Sequence, residues 1–150
     1  MSRLATLALL LWGLTIGGAA YLFVHGITAK ASDGREKVML TAAEHVHVLG
    51  EMRTLLQASA DIAGAIARGD NAAVSRAALP VGTAAIATDS PDLLARLPLD
   101  LKNGGLKLHQ GFDAIAAAAG KGATAPELTR LLSEQLSLCV GCHAVYSFGE

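Results

Sequence analysis

Two kinds of apolar patterning divide the chain. Residues 4 to 29 carry no Lys, Arg, Asp or Glu, and 18 of these 26 residues are apolar. That run exceeds the roughly 20 residues a helix needs to cross a bilayer. It is also longer than the hydrophobic part of a secretory signal, about 7 to 15 residues. The expectation is a retained transmembrane anchor over residues 1–30. The alternative is a signal removed near Ala31, where Ala29-Lys30-Ala31 resembles a cleavage site. Gly13 and Gly17 form a GxxxG pair that would let a second membrane helix approach closely.

Beyond residue 30 apolar residues recur at three- and four-residue steps, and Gly or Pro interrupt them at helical intervals. Asp33 with Glu36 reads as a capping box opening a helix to about Arg68, with a stripe of Val38, Ala42, Val48, Leu49, Met52, Leu55, Leu56, Ile62 and Ile66. Gly69 ends it and Asp70 caps the next helix, so the two run antiparallel through a tight turn. Pro80 stops the second helix, which resumes weakly over Val81 to Ala87. A short helical turn is expected at Asp92 to Arg96. A third helix follows Asp100, with Leu101, Leu108, Phe112 and Ile115 on one face; Gly104, Gly105 and Gly111 each weaken it by up to about 1 kcal/mol. Thr124, Pro126 and Glu127 open a last helix reaching Tyr146, with a stripe of Leu128, Leu132, Leu136, Cys139, His143 and Tyr146. The predicted fold is all-α: a four-helix bundle over residues 31–150, behind one transmembrane helix.

Charge excludes one broad class. With 12 Lys plus Arg against 13 Asp plus Glu, the net charge is −1, which offers no electrostatic basis for nucleic-acid binding. Two cysteines are too few for a disulfide framework.

Those two cysteines carry the clearest chemical signal. Cys139-Val140-Gly141-Cys142-His143 has the C-x-x-C-H spacing of covalent haem c attachment. On a helix, positions 139, 142 and 143 share a face, so two thiols can bond one porphyrin while the imidazole reaches its iron. A zinc site would want further ligands at suitable spacing, and a redox dithiol would follow a strand. Covalent haem attachment takes place outside the bacterial cytoplasm. The domain is therefore expected in the periplasm, anchored to the inner membrane, although Lys30, Arg35 and Lys37 after the span favour the opposite orientation by the positive-inside rule.

A single C-x-x-C-H in the last of four helices, followed by Tyr146, resembles the cytochrome c-prime family and its low-spin relatives. The resemblance covers about residues 36 to 148. It includes Gly-Glu-Met-Arg-Thr-Leu-Leu around Met52, Arg-Gly-Asp at residues 68–70, and Gly-x-x-Leu-His-x-x-Phe-Asp ending at Asp113. Ser147 stands where the family usually has Arg. The resemblance implies His143 as one axial ligand and, as in the low-spin relatives, Met52 as the other. In c-prime proper the corresponding residue is apolar and the iron is five-coordinate. Met52 could also simply pack the core. Met39, His45, His47 and His109 are weaker rivals. The function implied is single-electron transfer to redox protein partners. The alternatives are a gas-binding haem protein and an accessory subunit of a membrane redox complex. No nucleophile–base constellation points to catalysis on an organic substrate.

Overall fold

The computed structural model describes residues 2–149. Among these the chain is mostly helical, with six α-helices, and three short strands complete it. Helix α1, Arg3–His25, buries none of its residues and presents its apolar side chains outward. Its 23 residues are long and apolar enough to span a membrane or to serve as a signal sequence. At 1.5 Å per residue it extends about 34 Å, slightly more than a hydrocarbon core of about 30 Å.

The segment after α1 departs from the all-α expectation. Strands β1, Thr28–Lys30, and β2, Glu36–Met39, form an antiparallel pair, and β3, Tyr146–Gly149, joins β2 in parallel. The first long helix, α2, consequently spans Ala42–Ala67 rather than starting after Asp33. Two capping-box patterns compete here, and the later one forms. The Thr41 hydroxyl accepts from the Glu44 amide, and the Glu44 carboxylate accepts from the Thr41 amide at 2.7 Å. The earlier Asp33 instead holds the Arg35 guanidinium at 2.7 Å. Val38 and Leu40, two residues apart, are both buried, which is the period of a strand rather than a helix.

The remaining elements follow the local signals closely. Gly69 takes the positive φ of 69° that a tight helix–helix turn needs, and the Asp70 carboxylate accepts from the Ala73 amide at 2.9 Å. Helix α3, Asn71–Ala78, gives way to a 3₁₀ turn at Leu79–Val81, where Pro80 lacks the amide an α-helix would use. The expected weak helix over Val81 to Ala87 is a second 3₁₀ turn, Ala85–Thr88. Helices α4, Pro91–Arg96, α5, Leu99–Gly120, and α6, Ala125–Val145, complete the set. Helix α6 stops one residue before Tyr146, which enters β3 instead of closing the helical stripe.

Helix α3 packs on α2 and α5, α5 on α6, and α6 returns to α2. Their shared core includes Ile62, Val74, Ala78, Phe112, Ile115 and Leu128, all at most 1% exposed. A second apolar cluster, Val38, Leu40, Val48 and Leu93, joins the sheet to α2 and α4, with Tyr146 and Phe148 packed against it. Helix α1 is fastened to the domain where it ends. Gly26 lies against the backbone of residues 96–98, the Ile27 amide donates to the Arg96 carbonyl at 2.8 Å, and Lys102 donates to the Phe23 carbonyl at 3.0 Å.

Candidate functional site

The buried stripe of α6 runs out at the C-x-x-C-H motif. Leu128, Leu132 and Gln135 are buried; Cys139 and Cys142, next along that side, are half-buried, and His143 is exposed. Leu136 and Val140, one turn apart on the same side of α6, are also exposed. The two thiols and the imidazole thus sit among exposed apolar side chains where the core packing of α6 ends.

Burial pushes both thiols above the ordinary cysteine range, and the proximity of Cys139 adds to the effect at Cys142. In the free chain they are protonated thiols, not the activated thiolates of a redox dithiol. The helix end that carries them is held from outside. The Arg35 guanidinium donates to the carbonyls of His143 and Tyr146, both at 3.2 Å, and the Tyr146 amide closes on the Cys142 carbonyl. A cation there satisfies carbonyls at the helix terminus and complements its negative dipole end. In the sequence Arg35 stands only as one positive charge after the apolar N-terminal run. The carbonyls it reaches lie more than 100 residues along the chain, so its local pairing with Asp33 gave no sign of this role.

Met52 is half-buried on α2 and packs against both apolar clusters, the second of which also receives Tyr146. It therefore points inward, as its place on the stripe suggested. Leu49 and Leu56, expected inside on that same stripe, are 42% and 70% exposed. They lie one turn either side of Met52 and extend an apolar flank of α2. Met39 sits on strand β2 rather than on a helical stripe.

The histidines separate into different surroundings. His45 is half-buried near the start of α2. His109 is buried and donates from Nδ1 to the Val81 carbonyl at 2.8 Å, since a carbonyl can only accept. It shares the wall of a cavity of about 350 Å³ with His47 and Glu51, between α2 and the first 3₁₀ turn. None of Cys139, Cys142, His143 and Met52 lines that cavity. Glu51 is raised above the usual carboxylate range, chiefly by burial and then by the neighbouring Asp89. Glu51 and Asp89 were not singled out from sequence; the four-residue step from His47 to Glu51 on one helix face was the available signal.

The donor set at the end of α6 fits a haem: two thiols for the vinyl groups, an exposed imidazole for the iron, and apolar side chains beside the ring. Comparison with protein-family models, with curated proteins and with solved structures finds no match to this chain.

Proposed function

We propose that this chain is a membrane-anchored monohaem c-type cytochrome that carries single electrons on the periplasmic side of the inner membrane. The observation that carries the reading is the Cys139, Cys142 and His143 constellation at the open end of the α6 stripe. In this reading α2, α3, α5 and α6 act as a four-helix bundle around the cofactor, as in the cytochrome c-prime family and its low-spin relatives. Cys139 and Cys142 hold haem c through thioether bonds, and the bound haem supplies the one-electron chemistry.

The chain's own residues supply position and surroundings. His143 offers an imidazole from the last turn of α6, and Arg35 fixes the backbone of that turn. Met52 offers a thioether from α2; a Met ligand raises the reduction potential relative to a second His. Leu49, Leu56, Leu136 and Val140 give an apolar rim that excludes water. Electron transfer then needs only a small transient interface with redox partners.

The way α1 meets the domain favours a retained anchor. Cleavage near Ala31 would remove strand β1 and the buried Gly26 along with α1. Gly13 and Gly17 have nothing within 4 Å beyond their own helix, so they leave a close-approach face for a membrane subunit.

Met52 already has apolar neighbours in both clusters, and that observation favours a second reading, a five-coordinate gas-binding protein in which Met52 only packs. Absorption spectra of the oxidised and reduced protein, wild type against Met52→Ala, test the choice. A low-spin spectrum that becomes high-spin in Met52→Ala is expected. A high-spin wild type that binds CO readily and is unchanged by the substitution would establish the gas-binding reading instead.

A further inference from the structure

A second group of metal-ligating side chains lies on α2 and the segment before α4, and shares no residue with the C-x-x-C-H motif. His47 and Glu51 stand one turn apart on α2, and Asp89 reaches them from the segment between the second 3₁₀ turn and α4. His47 Nε2 lies 3.5 Å from Glu51 Oε1 and 3.4 Å from Asp89 Oδ1. One ligand atom from each of the three falls within 4.8 Å of the others. Zinc bonds of about 2.0–2.1 Å at the tetrahedral angle place two ligand atoms about 3.4 Å apart, which matches both separations.

Charge points the same way. Two carboxylates and one imidazole meet here, so the donor set carries an excess of negative charge. The Asp89 side chain is only 10% exposed and Glu51 28%, while His47 is 51% exposed, so the carboxylates are the shielded part of the cluster. A divalent cation balances the pair and leaves the imidazole neutral. The donors, one nitrogen and two carboxylate oxygens, suit a first-row divalent ion such as zinc.

The cavity gives the cluster an open side. His47 and Glu51 line it, and His109 forms part of the same wall. His109 Nδ1 is committed to the Val81 carbonyl, so Nε2 is the ring nitrogen left for a second partner. We propose that His47, Glu51 and Asp89 bind a divalent metal ion of the zinc class, with a coordination position left open to the cavity for water or a small ligand. His109, on the same cavity wall, offers its free ring nitrogen as a hydrogen-bond partner for whatever occupies that position. This site is independent of the haem reading, and it stands or falls whether or not the chain carries haem.

The test is zinc binding by the full chain in detergent, measured by equilibrium dialysis with metal content per chain. Asp89→Asn and Glu51→Gln are the variants, and metal-free thermal melts with circular dichroism establish that each is folded. Wild type is expected to bind one zinc more than Asp89→Asn, or to bind that ion at least tenfold more tightly, with Glu51→Gln intermediate or equally impaired. Zinc should raise the melting temperature of wild type more than that of either variant. The Asp89-dependent ion should persist in Cys139→Ser/Cys142→Ser, which separates it from metal held by the haem motif. Equal zinc content and affinity in wild type and in both folded variants, or loss of the ion in the cysteine variant, would overturn the assignment.

Discussion

Replacing Gly26 by Ala should undock the N-terminal helix while leaving the helical core folded. Gly26 has φ 64° and ψ −157°, a backbone region essentially reserved for glycine. Holding alanine there costs roughly 1–3 kcal/mol. A Cβ would also overlap backbone that cannot swing aside: it would meet the Arg96 carbonyl oxygen, with Pro98 N at 2.6 Å and the Leu97 carbonyl carbon at 2.7 Å. Opposing this, the Ile27–Arg96 hydrogen bond contributes about 1 kcal/mol net. Lys102, 4.3 Å above the Phe23 ring, adds about 0.5–1 kcal/mol. Strain and contacts are of similar size once the Lys102–Phe23 carbonyl hydrogen bond is included, and the overlap with rigid backbone tips the balance, so the junction should open. Hydrogen exchange of the full chain in detergent reads this at the Ile27 amide, and trypsin reads it at Lys30 and Arg35. Faster exchange and faster cleavage are expected, with the melting of the core shifted little. An Ile27 amide protected equally in both proteins would refute the view that this glycine seats the helix on the domain.

Other substitutions test the fold and its electrostatics. Hydrogen bonds from the Thr83 hydroxyl, at 2.7 Å, and amide hold Asp113 below the usual carboxylate range. Its contribution is therefore full above the unfolded value near 3.8 and is lost as pH falls through the lower folded value; melts of Asp113→Asn against pH should show a lower plateau and a weaker acid dependence than wild type. Gly111→Ala would drive a Cβ into the amide end of the buried Gln135 side chain on α6; overpacking of about 1–3 kcal/mol, less the roughly 1 kcal/mol of helix propensity alanine returns, should leave a net loss of up to about 2 kcal/mol in denaturant melts. Val38→Ala, at a fully buried strand position, should cost about 2 kcal/mol, also seen in denaturant melts, although Val38 lies outside every helix.

How far the chain could be read depended on where the determinants lie. The Asp70 and Thr124 caps, the Gly69 turn and the stop at Pro80 are short-range, and each element appears where its signal stands. The sheet was missed for a physical reason. Strands of three and four residues carry little alternation, and β2 finds its parallel partner Tyr146–Gly149 across nearly the whole domain. The one local hint was Val38 and Leu40 at a two-residue step behind Gly34, which competed with a plausible capping box. At the haem motif, spacing alone placed Cys139, Cys142 and His143 on the end of one helix. Arg35 and Asp89 were illegible because each acts on residues brought near only by folding. Leu49 and Leu56 fit the helical stripe yet remain exposed, so periodicity marked the apolar flank of α2 but not how much of it the core covers.

The central claim is that Cys139 and Cys142 hold one haem covalently. The most direct measurement is the intact mass of the denatured chain, produced in a host that exports it and attaches haem c. The account predicts a species heavier than the polypeptide by one haem, which survives acidic solvent extraction and is reduced to the bare chain in Cys139→Ala/Cys142→Ala. A polypeptide at its unmodified mass, or haem that the solvent removes from the wild-type chain, would contradict it.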